Sequence, residues 1–246
     1  MTTRLFLSDL HLEETQSPVF LRFKELMLRE CKNVDEIHLL GDLVEMWIGD
    51  DDDADIARAL TQVLSHACRH CSVFIMHGNR DFLFGENFAT QTGVKINSDP
   101  FRTEDGLLLT HGDAYCTDDT AYQQMRTMFR SEAWQADVLG KTLPQRKALG
   151  QMLRAQSKAE NSNKRGNIMD VNPAVIHAQF QKQNVTTMIH GHTHRPGIHQ
   201  SGGTLRYVLG AWEHCGWAIR QDSDHLELFC FSLARPYAST LRDRQP

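Results

Sequence analysis

Ile189-His190-Gly191-His192-Thr193-His194 puts three imidazoles at alternate positions directly after the apolar run 185–189. Imidazole is the commonest protein ligand for a transition metal at neutral pH. In extended backbone, side chains at i and i+2 point the same way. His192 and His194 therefore reach two neighbouring ions if the chain bends as it leaves its strand. Taken alone, the stretch reads more readily as polar residues on a turn. Four earlier segments end in the same manner, each an apolar run followed at once by carboxylate, amide or imidazole: Ser8-Asp9-Leu10-His11, Gly41-Asp42, Gly78-Asn79-Arg80-Asp81 and His111-Gly112-Asp113. Together they offer Asp9, His11, Asp42, Asn79, His111, His192 and His194 as metal ligands, with Arg80 as a forked cation suited to a phosphate. One aspartate bridging two ions about 3.5–4 Å apart lets seven side chains fill eight ligand positions and leaves others for water and substrate. Carboxylate, amide and imidazole donors without thiolate point to Mn, Fe, Zn or a similar ion.

Strands and helices must carry these groups to one place. Residues 4–7, 34–40, 73–77 and 106–110 read as strands, each ending in one of the polar clusters. Residues 18–31 have helical apolar spacing at Phe20, Phe23, Met27 and Cys31. The acidic run 50–53 reads as a solvated loop leading into a helix over 54–67, whose dipole favours it; it lacks the spacing of a calcium loop. Residues 118–161 look helical, with apolar positions at Tyr122, Met125, Phe129, Leu149, Met152 and Leu153, and with Gly140 and Pro144 dividing them into at least two pieces. Asn172-Pro173 is an N-cap and N1 pair for a helix to about 183, before the strand 185–189. Three further runs, 206–209, 216–220 and 226–233, are expected to build a second sheet. Strands alternating with helices predict parallel βαβ units, and the later hairpin-like runs a second packed layer. Ligands of open α/β sheets sit beyond the carboxyl ends of the strands, which is where every cluster falls.

A chain of 246 residues with 41% apolar and 23% charged residues suffices for one large domain with a substantial core. The first residues hold too short an apolar stretch for a signal peptide, and no run approaches the roughly 20 residues of a spanning helix, so a cytosolic protein is expected. Six cysteines do not suggest a disulfide framework. Cys68 and Cys71, beside His66 and His70, read as reduced cysteines at a helix end, because a lone CxxC is weak support for zinc or redox chemistry. The net charge of −5 is uneven: residues 126–165 hold nine Lys/Arg against three acids, +6, leaving −11 for the rest. Such a patch fits an anionic partner (a phosphate-bearing substrate, nucleic acid or an acidic membrane) or a solvated helical face.

The order D-x-H, G-D, G-N-R-D, H-G-D, G-H-T-H resembles the calcineurin-like metallophosphoesterase superfamily. That resemblance implies an α/β fold, a four-layer αββα sandwich with a dinuclear metal centre, as a single domain over 1–246 with a helical cap inserted at about 117–165. It is closer in residues 8–12, 41–50, 77–82 and 168–173, which are similar to the enzyme family that splits the pyrophosphate of UDP-2,3-diacylglucosamine in lipid A biosynthesis. By matching position, the family implies one ion on Asp9, His11, Asp42 and His194 and a second on Asp42, Asn79, His111 and His192, with manganese as the metal. It implies catalytic roles for Asp42, Asn79, Arg80 and His111. Candidate substrate contacts are Asn79, Arg80, Asp119, Tyr122, Ser157, Asn161, Lys164 and His192. The implied reaction is attack of activated water on the uridine-side phosphorus, giving UMP and 2,3-diacylglucosamine 1-phosphate. The implied setting is the cytoplasmic face of the inner membrane, held peripherally, with no obligate protein partner; the acidic chain outside the insertion, without a basic run to track a backbone, argues against nucleic acid.

Helical spacing agrees with part of this. Ser157, Asn161 and Lys164 stand at i, i+4 and i+7 and share one face, where hydroxyl, amide and ammonium suit a sugar and its phosphate. Apolar positions in the same insertion can bury acyl chains, at about 0.8 kcal/mol per methylene. Other phosphoesterase substrates, namely dinucleoside polyphosphates, phosphoproteins or nucleic acid ends, are the nearest alternative. A metal-stabilised scaffold is the alternative outside enzymes.

Overall fold

Alternate residues of the first strand, β1 (Arg4–Leu7), go to two different cores. Leu5 and Leu7 pack among helices, whereas Phe6 faces a second sheet. The computed structural model describes residues 2–163, 170–223 and 225–238, without the side chains of 158 and 160–163. After β1 come α1 (Pro18–Glu30), β2 (Glu36–Leu39), α2 (Asp55–Ala67), β3 (Ser72–Met76), α3 (Glu86–Thr92) and β4 (Lys95–Asn97). Strands β1 to β4 pair in parallel, with Leu5 opposite Ile37 and Ile37 opposite Val73. Each crossover is helical, and α1 starts where the Ser17 hydroxyl accepts the Phe20 amide and Pro18 fills the first turn.

The chain continues with β5 (Phe101–Arg102), β6 (Leu107–Leu109), a 3-10 turn at Asp113–Tyr115, α4 (Thr120–Phe129), α5 (Glu132–Leu139), α6 (Leu143–Asn163) and α7 (Pro173–Gln183). It ends in β7 (Thr187–His190), β8 (Gly197–Ser201), β9 (Thr204–Val208), β10 (Cys215–Asp222) and β11 (His225–Ser232). The two sheets run β11-β10-β1-β2-β3-β4 and β5-β6-β7-β9-β8. Three cores separate four layers. One joins α1, α2 and α3 to the first sheet, one lies between the sheets around Phe6, Leu109, Ile189 and Ile219, and one joins Leu108 and Met188 to Ile176 and Phe180 of α7. The arrangement is αββα, as the motifs imply.

Several local expectations need correction. Of the three late runs, only β9 enters the second sheet. Strand β10 instead pairs antiparallel with β1, and β11 pairs with β10. The exposed edge of β1 decides this: pairing there sends Ile219 to the inter-sheet core and Ala218 to the helix side. The helical stretch after β6, expected in at least two pieces, is in three. The additional break precedes α5, where the Ser131 hydroxyl caps the amide of Trp134. Pro144 does not interrupt α6, because its missing N–H falls in the first turn. The acidic run is not merely solvated. Asp50 accepts the Gly85 and Phe88 amides at the start of α3, while Asp51 and Asp53 pair with Arg146 and Lys147 of α6. Much of the basic segment is thus answered inside the chain. Cys68 and Cys71 are free thiols at the end of α2.

Candidate metal centre and its cleft

The motif loops are joined to one another through backbone before any side chain is considered. The Asp9 amide donates to Gly41 O (3.1 Å), His11 to Asp42 O (3.1 Å) and Leu12 to Leu43 O (2.9 Å), so the turns after β1 and β2 run side by side. Asp81, fully buried, accepts the Leu43 amide (2.7 Å) and the Gly78 amide (2.8 Å) and ties the turn after β3 to them. Asp9, His11, Asp42, His192 and His194 all have left-handed backbone, φ +47° to +64°. Such conformations cost about 1–3 kcal/mol each and persist only where the surroundings over-determine them. Here the bend aims successive side chains of each loop at one point. Two glycines permit the close approach: a Cβ on Gly78 would lie 2.1 Å from Asp42 Oδ1, and one on Gly191 would lie 2.2 Å from Asp9 Oδ2.

All seven candidate ligands meet. His11 Nε2 faces His194 Nε2 at 3.3 Å, and His194 Nε2 stands 3.5 Å from Asp9 Oδ1. The two oxygens of Asp42 lie between the halves of the site, 3.8 Å from His11 Nε2 and 3.7 Å from His111 Nε2. Asn79 Oδ1 is 3.0 Å from His111 Nε2 and 2.9 Å from His192 Nδ1. His111 is oriented from behind, its Nδ1 lying 2.9 Å from the Leu40 carbonyl. Two overlapping groups have metal-ligand spacing: Asp9, His11 and His194, and Asp9, Asp42 and His111. Asp9 Oδ1 is buried without a hydrogen-bond donor. An orphaned carboxylate oxygen among converging imidazoles fits a cation, since a buried unpaired charge is otherwise costly.

The clustered carboxylates and imidazoles shift one another's titration. Burial by itself lowers the pKa of His11, but the Glu45 contact and the charges of Asp42 and Asp9 raise it to about 9. Burial likewise opposes protonation of His111, and Asp42, Asp113 and Asp9 raise it to about 9. His192 goes the other way: burial, then the neighbouring His111, lowers it to about 4. Asp9 is held below the usual carboxylate range, its burial being outweighed by His194 and the other imidazoles.

Beside these groups a cleft open to solvent runs between the Glu45–Ile48 stretch and helices α4, α5 and α6. Asn79, Arg80, Asp113 and Tyr122 line its metal end, and Trp47, Phe82, Phe129, Trp134, Leu149 and Leu153 make its walls apolar. Phe82, Phe129 and Trp134 form one aromatic cluster, with centroids 4.7–6.2 Å apart. Tyr122 donates its hydroxyl to Asp113 (2.7 Å), and its ring lies 5.8 Å from that of His192.

Among the expected substrate contacts, Asn79, Arg80, Tyr122 and Ser157 line the cleft. Asp119 caps α4, accepting the Tyr122 amide at 3.1 Å. The Asn161 side chain and the whole of Lys164 lie outside the described residues. Leu149 and Leu153 face the cleft, but Met152, expected on the same apolar face, is exposed. Sequence reasoning assigned no role to Glu45, Asp113 or Arg154. Glu45 Oε2 lies 2.9 Å from His11 Nδ1, Asp113 takes both Tyr122 and Arg126, and Arg154 pairs with Glu45 and Glu13. The signal was present, since Glu45 follows Asp42 by three residues and Asp113 follows His111 by two. What was missing was the neighbour across the fold.

The family model described as calcineurin-like phosphoesterase matches residues 2–196. A protein of Chromohalobacter salexigens named UDP-2,3-diacylglucosamine hydrolase is 40% identical over 231 residues, covering 90% of this chain and 94% of its own. One of the same name from Xanthomonas oryzae pv. oryzae is 40% identical over 247 residues, covering 94% and 100%. A third, from Xanthomonas campestris pv. campestris, is 41% identical over 241 residues, covering 92% and 98%. Similar solved structures include an archaeal phosphodiesterase, 12% identical, covering 93% of this chain and 99% of that one with a TM-score of 0.49. Vacuolar protein sorting 29 of Cryptosporidium parvum is 11% identical, covers 94% and 98%, and has a TM-score of 0.46.

Proposed function

The chain belongs to the calcineurin-like phosphoesterase family, and on that premise we propose that it hydrolyses UDP-2,3-diacylglucosamine to UMP and 2,3-diacylglucosamine 1-phosphate. The observation that carries the substrate is the apolar cleft opening directly onto the candidate ligands. A phosphate at Asn79 and Arg80 leaves acyl chains lying along Phe82, Phe129, Trp134 and Leu153. A dinucleoside polyphosphate or a phosphoprotein would leave that wall unmatched. The names of relatives at 40% identity over nearly the whole chain support the same reading.

The enzyme requires a divalent metal cofactor. Two ions are proposed, one at Asp9, His11, Asp42 and His194 and one at Asp42, Asn79, His111 and His192, and a donor set of oxygen and nitrogen without sulfur is compatible with manganese. When bound, the cofactor supplies Lewis acidity that activates water and offsets phosphoryl charge. The chain's own residues do the rest. Arg80 Nη1 stands 4.0 Å from Glu45 Oε1 at the cleft wall, where its guanidinium offsets charge developing on the phosphate. The Arg80 amide donates to Asp42 Oδ1 (2.8 Å), so ligand and phosphate-binding residue move together. Tyr122, held by Asp113, forms the side wall next to His192, and Ser157 faces the sugar from α6.

Helices α4, α5 and α6 act as the cap of a single domain. Met128, Leu139 and Met152 on these helices are exposed, and peripheral contact with the cytoplasmic face of the inner membrane is proposed from them. No helix of the described residues is long and apolar enough to cross a membrane. The deciding experiment incubates the purified protein with UDP-2,3-diacylglucosamine in ¹⁸O-water, after chelation and after addition of Mn²⁺, with mass spectrometry of both products. Expected are UMP carrying the label and unlabelled acyl-sugar phosphate, only with metal. Cleavage of simple phosphate esters with the UDP-sugar left intact would refute the substrate.

A further inference from the structure

Glu45 touches both a candidate metal ligand and the cap. Backbone pairing puts it there. Leu12 and Val44 form a parallel bridge, and the Glu45 amide donates to Leu12 O at 3.2 Å, so the side chain emerges alongside His11. One oxygen, Oε2, lies 2.9 Å from His11 Nδ1, the ring nitrogen turned away from His194. The other, Oε1, lies 3.0 Å from Nε of Arg154 on α6 and 4.0 Å from Nη1 of Arg80. Arg154 also reaches Glu13, one residue beyond Leu12, so the arginine is gripped from two points of the same loop pair. The Glu45 side chain is 15% exposed and lines the cleft.

Two physical consequences follow from this placement. A carboxylate against the outer nitrogen of a ligating imidazole fixes the ring's tautomer and direction and raises its basicity. A carboxylate between two guanidinium groups holds long, rotamer-rich side chains in one geometry before a ligand arrives, which lowers the ordering cost of binding. We infer that Glu45 is a positioning residue with both duties: it keeps His11 aimed at the metal centre and keeps Arg154, with Arg80, fixed at the cleft wall, so that one side chain sets α6 relative to the metal centre. The second duty rests on the substrate reading above, and the first does not.

The two oxygens allow the duties to be separated. In Glu45→Gln an amide oxygen still fits beside the His11 ring, while its NH₂ group confronts the arginines. In Glu45→Ala both contacts go, and in Arg154→Ala only the cap contact goes. The test uses the full chain, stripped by chelator, with Mn²⁺ isotherms by titration calorimetry and KM and kcat for UDP-2,3-diacylglucosamine at saturating Mn²⁺. Glu45→Ala is expected to weaken binding of one ion about 10–100-fold, the usual cost of losing such an outer partner. Glu45→Gln should keep Mn²⁺ affinity within about threefold while raising KM, and Arg154→Ala should raise KM with the isotherm unchanged. Wild-type Mn²⁺ affinity in Glu45→Ala overturns the first duty. Wild-type KM in Glu45→Gln overturns the second. Should Glu45→Ala not fold, Glu45→Leu takes its place, wild-type Mn²⁺ affinity there overturning the first duty, while a Glu45→Gln protein that keeps its KM overturns the second. If the wild-type protein leaves the UDP-sugar intact, the substrate reading fails, while the Mn²⁺ isotherms still judge the role at His11.

Discussion

Arg146→Met should loosen α6 against the body of the protein without touching the metal centre. Arg146 is 4% exposed and donates through Nη1 to the Ile48 carbonyl (2.7 Å) and to Asp51 Oδ1 (2.6 Å), through Nη2 to the other Asp51 oxygen, and through Nε to Lys141 O (3.2 Å). Asp51 is largely solvated, its side chain being 64% exposed, so its share of the pairing is screened and worth at most about 1 kcal/mol. The Ile48 carbonyl is different, because a buried acceptor left without a donor costs about 1–3 kcal/mol. Methionine keeps the length of the apolar stem, so packing loss is small. The total is about 3 kcal/mol taken from the local opening of α6. At 1.4 kcal/mol per decade, that speeds hydrogen exchange of amides along α6 by about 100-fold, provided they exchange by local opening. Exchange in β1, β2 and β3 should not change. The assay is hydrogen–deuterium exchange with peptide mass spectrometry on the wild-type and variant proteins at one pH. Exchange in α6 within threefold of wild type would refute the assignment of Arg146 as the anchor, and equal acceleration throughout would show global unfolding instead.

Other consequences can be checked alongside. Asp42→Ala and His111→Ala should each lower turnover by more than about 100-fold, since even an outer partner of a ligand is worth 10–100-fold; the far-ultraviolet circular dichroism should remain that of the wild type, and retained activity in either variant argues against the ligand set. The metal-free protein should lose stability as pH rises. His11 and His111 titrate near 9 when folded against an ordinary 6.5, so the stability they contribute is complete below about 6.5 and disappears as pH passes 9. Asp81 acts in the same direction, because burial and then Asp42 raise it to about 6, making its ionisation at higher pH a cost. Melting of chelated protein at pH 6 and pH 9.5 checks the sign, and calorimetry in two buffers of different ionisation heat should count about one proton expelled from each of His11 and His111 on metal loading at pH 7; no proton release would contradict the arrangement. Trp134→Ala should raise KM for the diacylated substrate roughly tenfold with kcat little changed, because about 1.5 kcal/mol of apolar contact is removed from the cleft wall; an unchanged KM would place the acyl chains elsewhere.

The sequence by itself determined the identity and local placement of the candidate ligands. Apolar runs of strand length stop abruptly before Asp9, Asp42, Asn79, His111 and His192, and the ends of parallel strands share one rim, so local pattern sufficed within each sheet, whereas the meeting of the two sheets' rims was left to packing. The helix starts at Pro18 and Pro173 were equally legible, because a cap acts within one turn. Only the tertiary structure decided which edge β10 and β11 would cover, since alternating hydrophobicity says that a strand has a buried face and not which sheet it joins. It also decided that the basic segment meets the acidic loop. Arg146 and Asp51 are 95 positions apart, and charge alone read as well for a solvated face or an anionic partner. The cleft and the reach of Glu45 to His11 and Arg154 belong to the same class: they are contacts between elements distant in sequence, created by packing, and no residue carries them in its own neighbourhood.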